Sequence, residues 1–123
     1  ESPQYRDHGA VLWPEPPGFI STRPDAWRMF GLPEDKETSE CQGGELLFDK
    51  SRVSPALRLA CWCNRHYLHF YSVLAGDKDI FRLALKKTGL KYSMPQARSR
   101  FKDNCIFQND FTSSQDSAAE AGW

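Results

Sequence analysis

The stretch CQGGELLFDKSRVSPALRLACWC, residues 41–63, decides how this chain is read. Its GELLFDK portion is short, apolar in the middle and opened by glycine, which predicts a buried strand. The pair Gly43–Gly44 points either to a close approach on the backbone or to a simple turn. The following run, SPALRLACWCNRHYLHFYSVL, predicts a long helix with Ser54 as its cap and Pro55 at its first position. Leu57, Cys61, Asn64, Leu68 and Tyr71 recur at helical spacing, with Ala60 and Tyr67 beside them, so that stripe is expected to face the core.

Working outward, AGDKDIFRLALKKTG predicts a charged turn and a second helix. Asp79 is placed to cap it, Phe81, Ala84 and Leu85 form its apolar stripe, and Gly89 ends it. Upstream, residues 1–40 are dense in turn signals, and seven of the eight prolines precede residue 56. Within them GAVLW reads as a short strand ended by Pro14, and RPDAWRMFG as one helical turn stopped at Gly31. The chain therefore divides into an irregular Pro-rich segment with one short strand (1–40), an α/β segment (41–110) and a small, polar tail (111–123) expected to fray.

A chain of 123 residues has room for one core. With 40% hydrophobic and 26% charged residues, most of it is expected to fold. Sixteen basic residues balance sixteen acidic ones, which argues against electrostatic nucleic-acid binding. No apolar run reaches the roughly 20 residues of a membrane span, and ESPQYRDHG does not resemble a signal peptide. The four cysteines, Cys41, Cys61, Cys63 and Cys105, allow three pairings and demand none.

Cys61, Cys63, His66 and His69 crowd together as metal ligands do. Helical geometry turns Cys61 and Cys63 about 200° apart, so they cannot share one tetrahedral ion without breaking the helix. His8, His66 and His69 read as exposed or structural, and no nucleophile elbow, Walker loop or GxGxxG is present. The GDKD turn has two readings. It is a helix start favoured by the helix dipole, or a cluster of two carboxylates and an ammonium able to grip a polyhydroxy or phosphorylated ligand.

The order of these segments resembles the fungal Golgi α-mannosyltransferases, relatives of the yeast alpha-1,2 and alpha-1,3 enzymes of mannan synthesis. The matching residues are Trp13-Pro14-Glu15, Gln42-Gly43-Gly44-Glu45, Asp49-Lys50, and Gly76-Asp77-Lys78-Asp79 with Phe81, over roughly residues 8–95. Two departures stand out: Gln42 and Glu45 exchange the family's Glu and Gln, and Glu15 replaces an aspartate.

The resemblance implies an α/β fold, the C-terminal part of a glycosyltransferase-A-like domain with short strands and two main helices. It implies transfer of mannose from GDP-mannose to a mannose-containing glycan in the Golgi lumen, in a full-length type II membrane protein. Glu45 or Gln42 would then line the transfer site at the reacting carbon. Gly43, Gly44, Asp49, Asp77, Lys78, Asp79, Trp13 and Glu15 would surround the sugar and acceptor. The family's Mn²⁺ and its Asp-x-Asp belong to an N-terminal half, and no metal ligand is assigned in this chain. That half is the implied partner, the isolated chain is expected to be nearly inactive, and no nucleic acid or membrane contact is implied for this segment. Two other readings stay open: a non-catalytic glycan- or protein-binding module derived from that fold, and a fragment exposing apolar surface where the rest of the domain docks.

Overall fold

The computed structural model describes residues 2–16, 18, 21–95, 100–103 and 105–107. They form a small mixed α/β fold built around one antiparallel strand pair. Helix α1 (Pro3–His8) leads into strand β1 (Ala10–Pro14), helix α2 (Pro24–Phe30) and strand β2 (Cys41–Phe48). Helices α3 (Lys50–Arg65), α4 (Tyr67–Phe70) and α5 (Ile80–Lys87) follow, and a short hairpin, β3 (Arg100–Lys102) and β4 (Cys105–Phe107), comes last.

The pairing of β1 with β2 carries the main surprise. Ala10, Val11 and Leu12 face Phe48, Leu47 and Leu46 in regular register. Pro14 then faces Cys41, so four residues of β2, Gln42 to Glu45, stand against Trp13 alone. The Gly-Gly pair thus lies in a bulge, where the ladder is interrupted and side chains are re-aimed. On its other edge β1 exchanges hydrogen bonds with Ser93, which places β1 between two partners.

β2 is only partly the buried strand expected. Leu46 and Phe48 pack on the core, while Gly44, Glu45 and Leu47 are exposed. One face of the strand is covered by helix, with Phe48 against Phe81 at 5.8 Å, and the other is open.

Helix α3 begins five residues before the expected start. Asp49 caps it by accepting from the Ser51 N–H at 3.0 Å. The backbone then leaves helical geometry at Val53 (φ −109°, ψ 15°), and the chain resumes the helix through Ser54 and Pro55. Proline forbids the helical hydrogen bond at its own position and crowds the preceding turn, which accounts for the break.

The buried stripe is also shifted. Val53, Ala56, Ala60 and Cys63 are buried, whereas Cys61 and Tyr67 are exposed and Leu68 is 81% exposed. Arg58 and Arg65 lie on the opposite side of the helix and are exposed, so the buried face is the one turned away from these charges. α3 packs against α5, and Ala56 and Ala60 belong to the same core cluster as Ile80, Leu83, Ala84 and Leu85. Past Arg65 the helix stops at His66, and Phe70 of α4 reaches the core on a new phase.

Helix α5 is the centre of the core, with Ile80, Arg82, Leu83, Ala84 and Leu85 all buried. Trp27 and Phe30 of α2 join the same cluster, and Gly31 ends α2 in the left-handed region at φ 65°, as its sequence predicts. The short α1, capped by Ser2, was not anticipated. The tail from 111 onward lies outside the described residues. Leu83→Ala is expected to lower the unfolding free energy by about 3 kcal/mol in urea titrations. Leu68→Ala should change it by less than about 0.5 kcal/mol.

Candidate functional site

The site grows from Asp79, at the start of α5. Its carboxylate is 1% exposed yet makes no capping bond to its own helix. It takes both Nε and Nη2 of Arg82, the former at 2.7 Å, and accepts from the Thr22 hydroxyl at 2.7 Å and the Cys41 N–H at 3.2 Å. One carboxylate therefore ties α5 to the start of β2 and to the loop before α2. Arg82 passes the connection on through Nη1 to the Thr38 hydroxyl at 2.7 Å, which donates to Asp35, itself paired with Lys86 at 2.8 Å. The guanidinium also stands 5.2 Å from the centre of the Trp27 ring. Burial alone would lower the Arg82 pKa, but the bonds and charge of Asp79 outweigh it and raise the value.

Beside this pair lies a second cluster. The Lys78 ammonium sits 3.2 Å from Glu15 and 3.3 Å from Glu40, with all three side chains largely buried. Glu40 also accepts from the backbone N–H groups of Ser21 and Thr22 and from the Ser21 hydroxyl. Burial pushes the Glu40 carboxyl pKa up, but the two N–H bonds, the hydroxyl and the Lys78 charge together hold it below the ordinary 4.5. Asp35 behaves alike: Lys86 and Thr38 outweigh burial and hold it well below the ordinary 3.8.

The GDKD turn rests on the bulge. A Cβ added to Gly43 would lie 3.5 Å from Asp77 Oδ1 and 3.6 Å from the Lys78 Cα. The amide nitrogen of Gln42 is buried and has no hydrogen-bond partner. A buried, unpaired donor is costly, and a site that receives a ligand oxygen is one physical reason to keep it.

Of the residues singled out from sequence, Glu15, Gln42, Gly43, Asp77, Lys78 and Asp79 come together, with Trp13 opposite the bulge. Gly44 and Glu45 lie on its exposed side. Two assignments need correction. Asp49 caps α3 and its N–H bonds Gly9 O at the far end of β2, roughly 20 Å of extended chain from Gln42. Asp79 is saturated by Arg82, Thr22 and Cys41, so it shapes the site and is not placed to accept from a sugar.

Glu40, Thr22 and Arg82 were missed from sequence. Arg82 was legible as a charge three residues after Asp79 on one helix, whereas Glu40 was hidden in a turn-rich stretch.

A divalent metal does not fit these groups. Lys78 already stands between Glu15 and Glu40, and Asp79 is committed to Arg82. Among the described residues no three Cys, His, Asp or Glu side chains converge as metal ligands. All four cysteines are free thiols, and burial pushes Cys63 up to about 11, away from reactivity. No described helix is long and apolar enough to cross a membrane. No protein-family model, no curated protein and no solved structure matches this chain.

Removing one partner of the buried pair strands the other, so Asp79→Ala should cost about 3–5 kcal/mol of stability by chemical denaturation. The depressed carboxyls Glu40 and Asp35 favour the folded state above their ordinary pKa values, and that contribution fades as pH falls toward their lower folded values. Thermal stability should therefore drop below about pH 5, and Glu40→Gln should flatten the upper part of that fall.

Proposed function

We propose that this chain forms the sugar-facing wall of a GDP-mannose-dependent α-mannosyltransferase of the fungal Golgi type, acting on a mannose-containing glycan in the lumen. The observation that carries the reading is the meeting of Trp13–Glu15, Gln42–Gly43 and Asp77–Lys78 in one place, although more than sixty residues separate the first from the last. Those are the segments on which the family resemblance rests. Capped helices alone give no reason for a turn after α4 to seat on a glycine in a bulge of β2.

In this reading the exposed Asp77 and Glu45 carboxylates are acceptors for the hydroxyls of a hexose, with the buried, unpaired Gln42 amide beneath them. The turn lies against Gly43, and Lys78 holds Glu15 and Glu40 in place. Glu45, at the bulge, is the carboxylate available beside the reacting carbon. Donor diphosphate and Mn²⁺ belong to protein beyond this cluster, since its one ammonium is already neutralised twice. The exposed Trp62, Tyr67 and Leu68 fit a chain that packs on further protein. The same neutralised ammonium favours a second reading, a glycan-binding module without chemistry.

With GDP-mannose, Mn²⁺ and an α-mannoside acceptor, the isolated chain should show transfer near background. It should nonetheless bind α-1,2-mannobiose, with amide shifts at Gln42–Glu45 and Asp77–Lys78 in NMR titrations. Asp77→Asn should weaken that binding about tenfold, the equivalent of ~1.4 kcal/mol. Robust transfer by the chain alone, or no saccharide shift at these residues, would overturn the reading.

A further inference from the structure

We infer that the cavity enclosed by α2, the 34–40 loop and Arg82 is a subsite for the next residues of a neutral oligosaccharide, extending the hexose site at the bulge. The inference rests on the mannosyltransferase reading but on a different set of residues. Only Glu15 among the motif positions lines this cavity; Thr22, Trp27, Asp35, Glu40 and Arg82 supply the rest of its chemistry.

Three features define what fits. The first is size and shape. The cavity holds about 400 Å³ and adjoins a shallower depression of about 590 Å³ that shares Trp27, Glu34, Asp35 and Lys36. Two adjoining openings along one loop suit an extended chain better than a single ring, and the first alone is within the usual range of ligand sites.

The second is charge. Arg82 is cancelled by Asp79, Lys86 by Asp35 and Lys36 by Glu34. Lys78 is shared by Glu15 and Glu40, and Glu37 of the adjoining depression is in none of these pairs, so two carboxylate charges along this wall stay uncancelled. A phosphate is repelled there, while hydroxyl donors meet acceptors. The third is the lining itself: Trp27, 4% exposed and faced by the Arg82 guanidinium, borders the cavity together with the Glu34, Asp35 and Glu40 carboxylates and the Thr22 hydroxyl, so acceptors for sugar hydroxyls line it.

The test is ¹⁵N NMR titration of the full chain with methyl α-mannoside, α-1,2-mannobiose, the corresponding mannotriose and GDP. The Trp27 indole N–H and the Thr38 and Ser39 amides should shift with the di- and trisaccharide. Affinity should rise at least fivefold from the monosaccharide to the trisaccharide, and GDP should leave these signals unmoved. Glu34→Ala, at an exposed position, should reduce that rise to less than twofold with the fold intact. Shifts at Gln42–Glu45 and Asp77–Lys78 without shifts at Trp27, or affinity independent of length, would overturn the subsite and leave the proposed function standing. GDP shifting Trp27 would overturn the charge argument and with it the subsite. No saccharide shift anywhere would overturn both.

Discussion

The buried pair of Asp79 with Arg82 is the constraint on which the rest depends. Both side chains are 1% exposed, and an ion pair taken so far from water is favourable only when its remaining hydrogen-bonding groups are satisfied. Here they are. Thr22, the Cys41 N–H and Thr38 complete the shell, and each belongs to a different segment. Satisfying one carboxylate and one guanidinium therefore assembles the loop before α2, the start of β2 and the 35–38 turn around α5. The irregular first third of the chain has few elements of its own to order it, and this polar knot supplies its anchor.

The bulge in β2 is the second consequence. Cys41 is held by Asp79 at one end, and Leu46 to Phe48 are held in register by β1 at the other. Between them four residues span the width that Trp13 alone spans on the partner strand. They leave the ladder, and Gly43 then lies directly against the GDKD turn. A strained or interrupted strand beside a polar cluster is a recurrent setting for ligand contacts, because the freed side chains no longer answer to the sheet.

Charge then divides the labour. The cations within the cluster are matched: Lys78 twice, Arg82 by Asp79, Lys86 by Asp35. What is left over is acceptor capacity and one buried amide donor, which suits hydroxyl-rich, uncharged ligands and ill suits phosphate.

The sequence by itself determined the identity of the main elements. The GAVLW strand stopped by Pro14, the Pro24–Phe30 helix stopped by Gly31, the β2 strand and the two principal helices follow from local turn chemistry and apolar runs. It also placed Glu15, Gln42, Gly43, Asp77 and Lys78 in motifs that do converge. Only the tertiary structure showed that the buried face of α3 is Val53, Ala56, Ala60 and Cys63, opposite Arg58 and Arg65, and not the stripe through Leu57, Cys61 and Leu68. It alone turned Asp79 from a helix cap into a buried ion-pair partner, brought in Glu40 and Thr22, and sent Asp49 to the opposite end of the strand. The recruitment of Glu40 and Thr22 depends on contacts between residues 18 to 57 positions apart, and spacing along a chain carries no information about such closures.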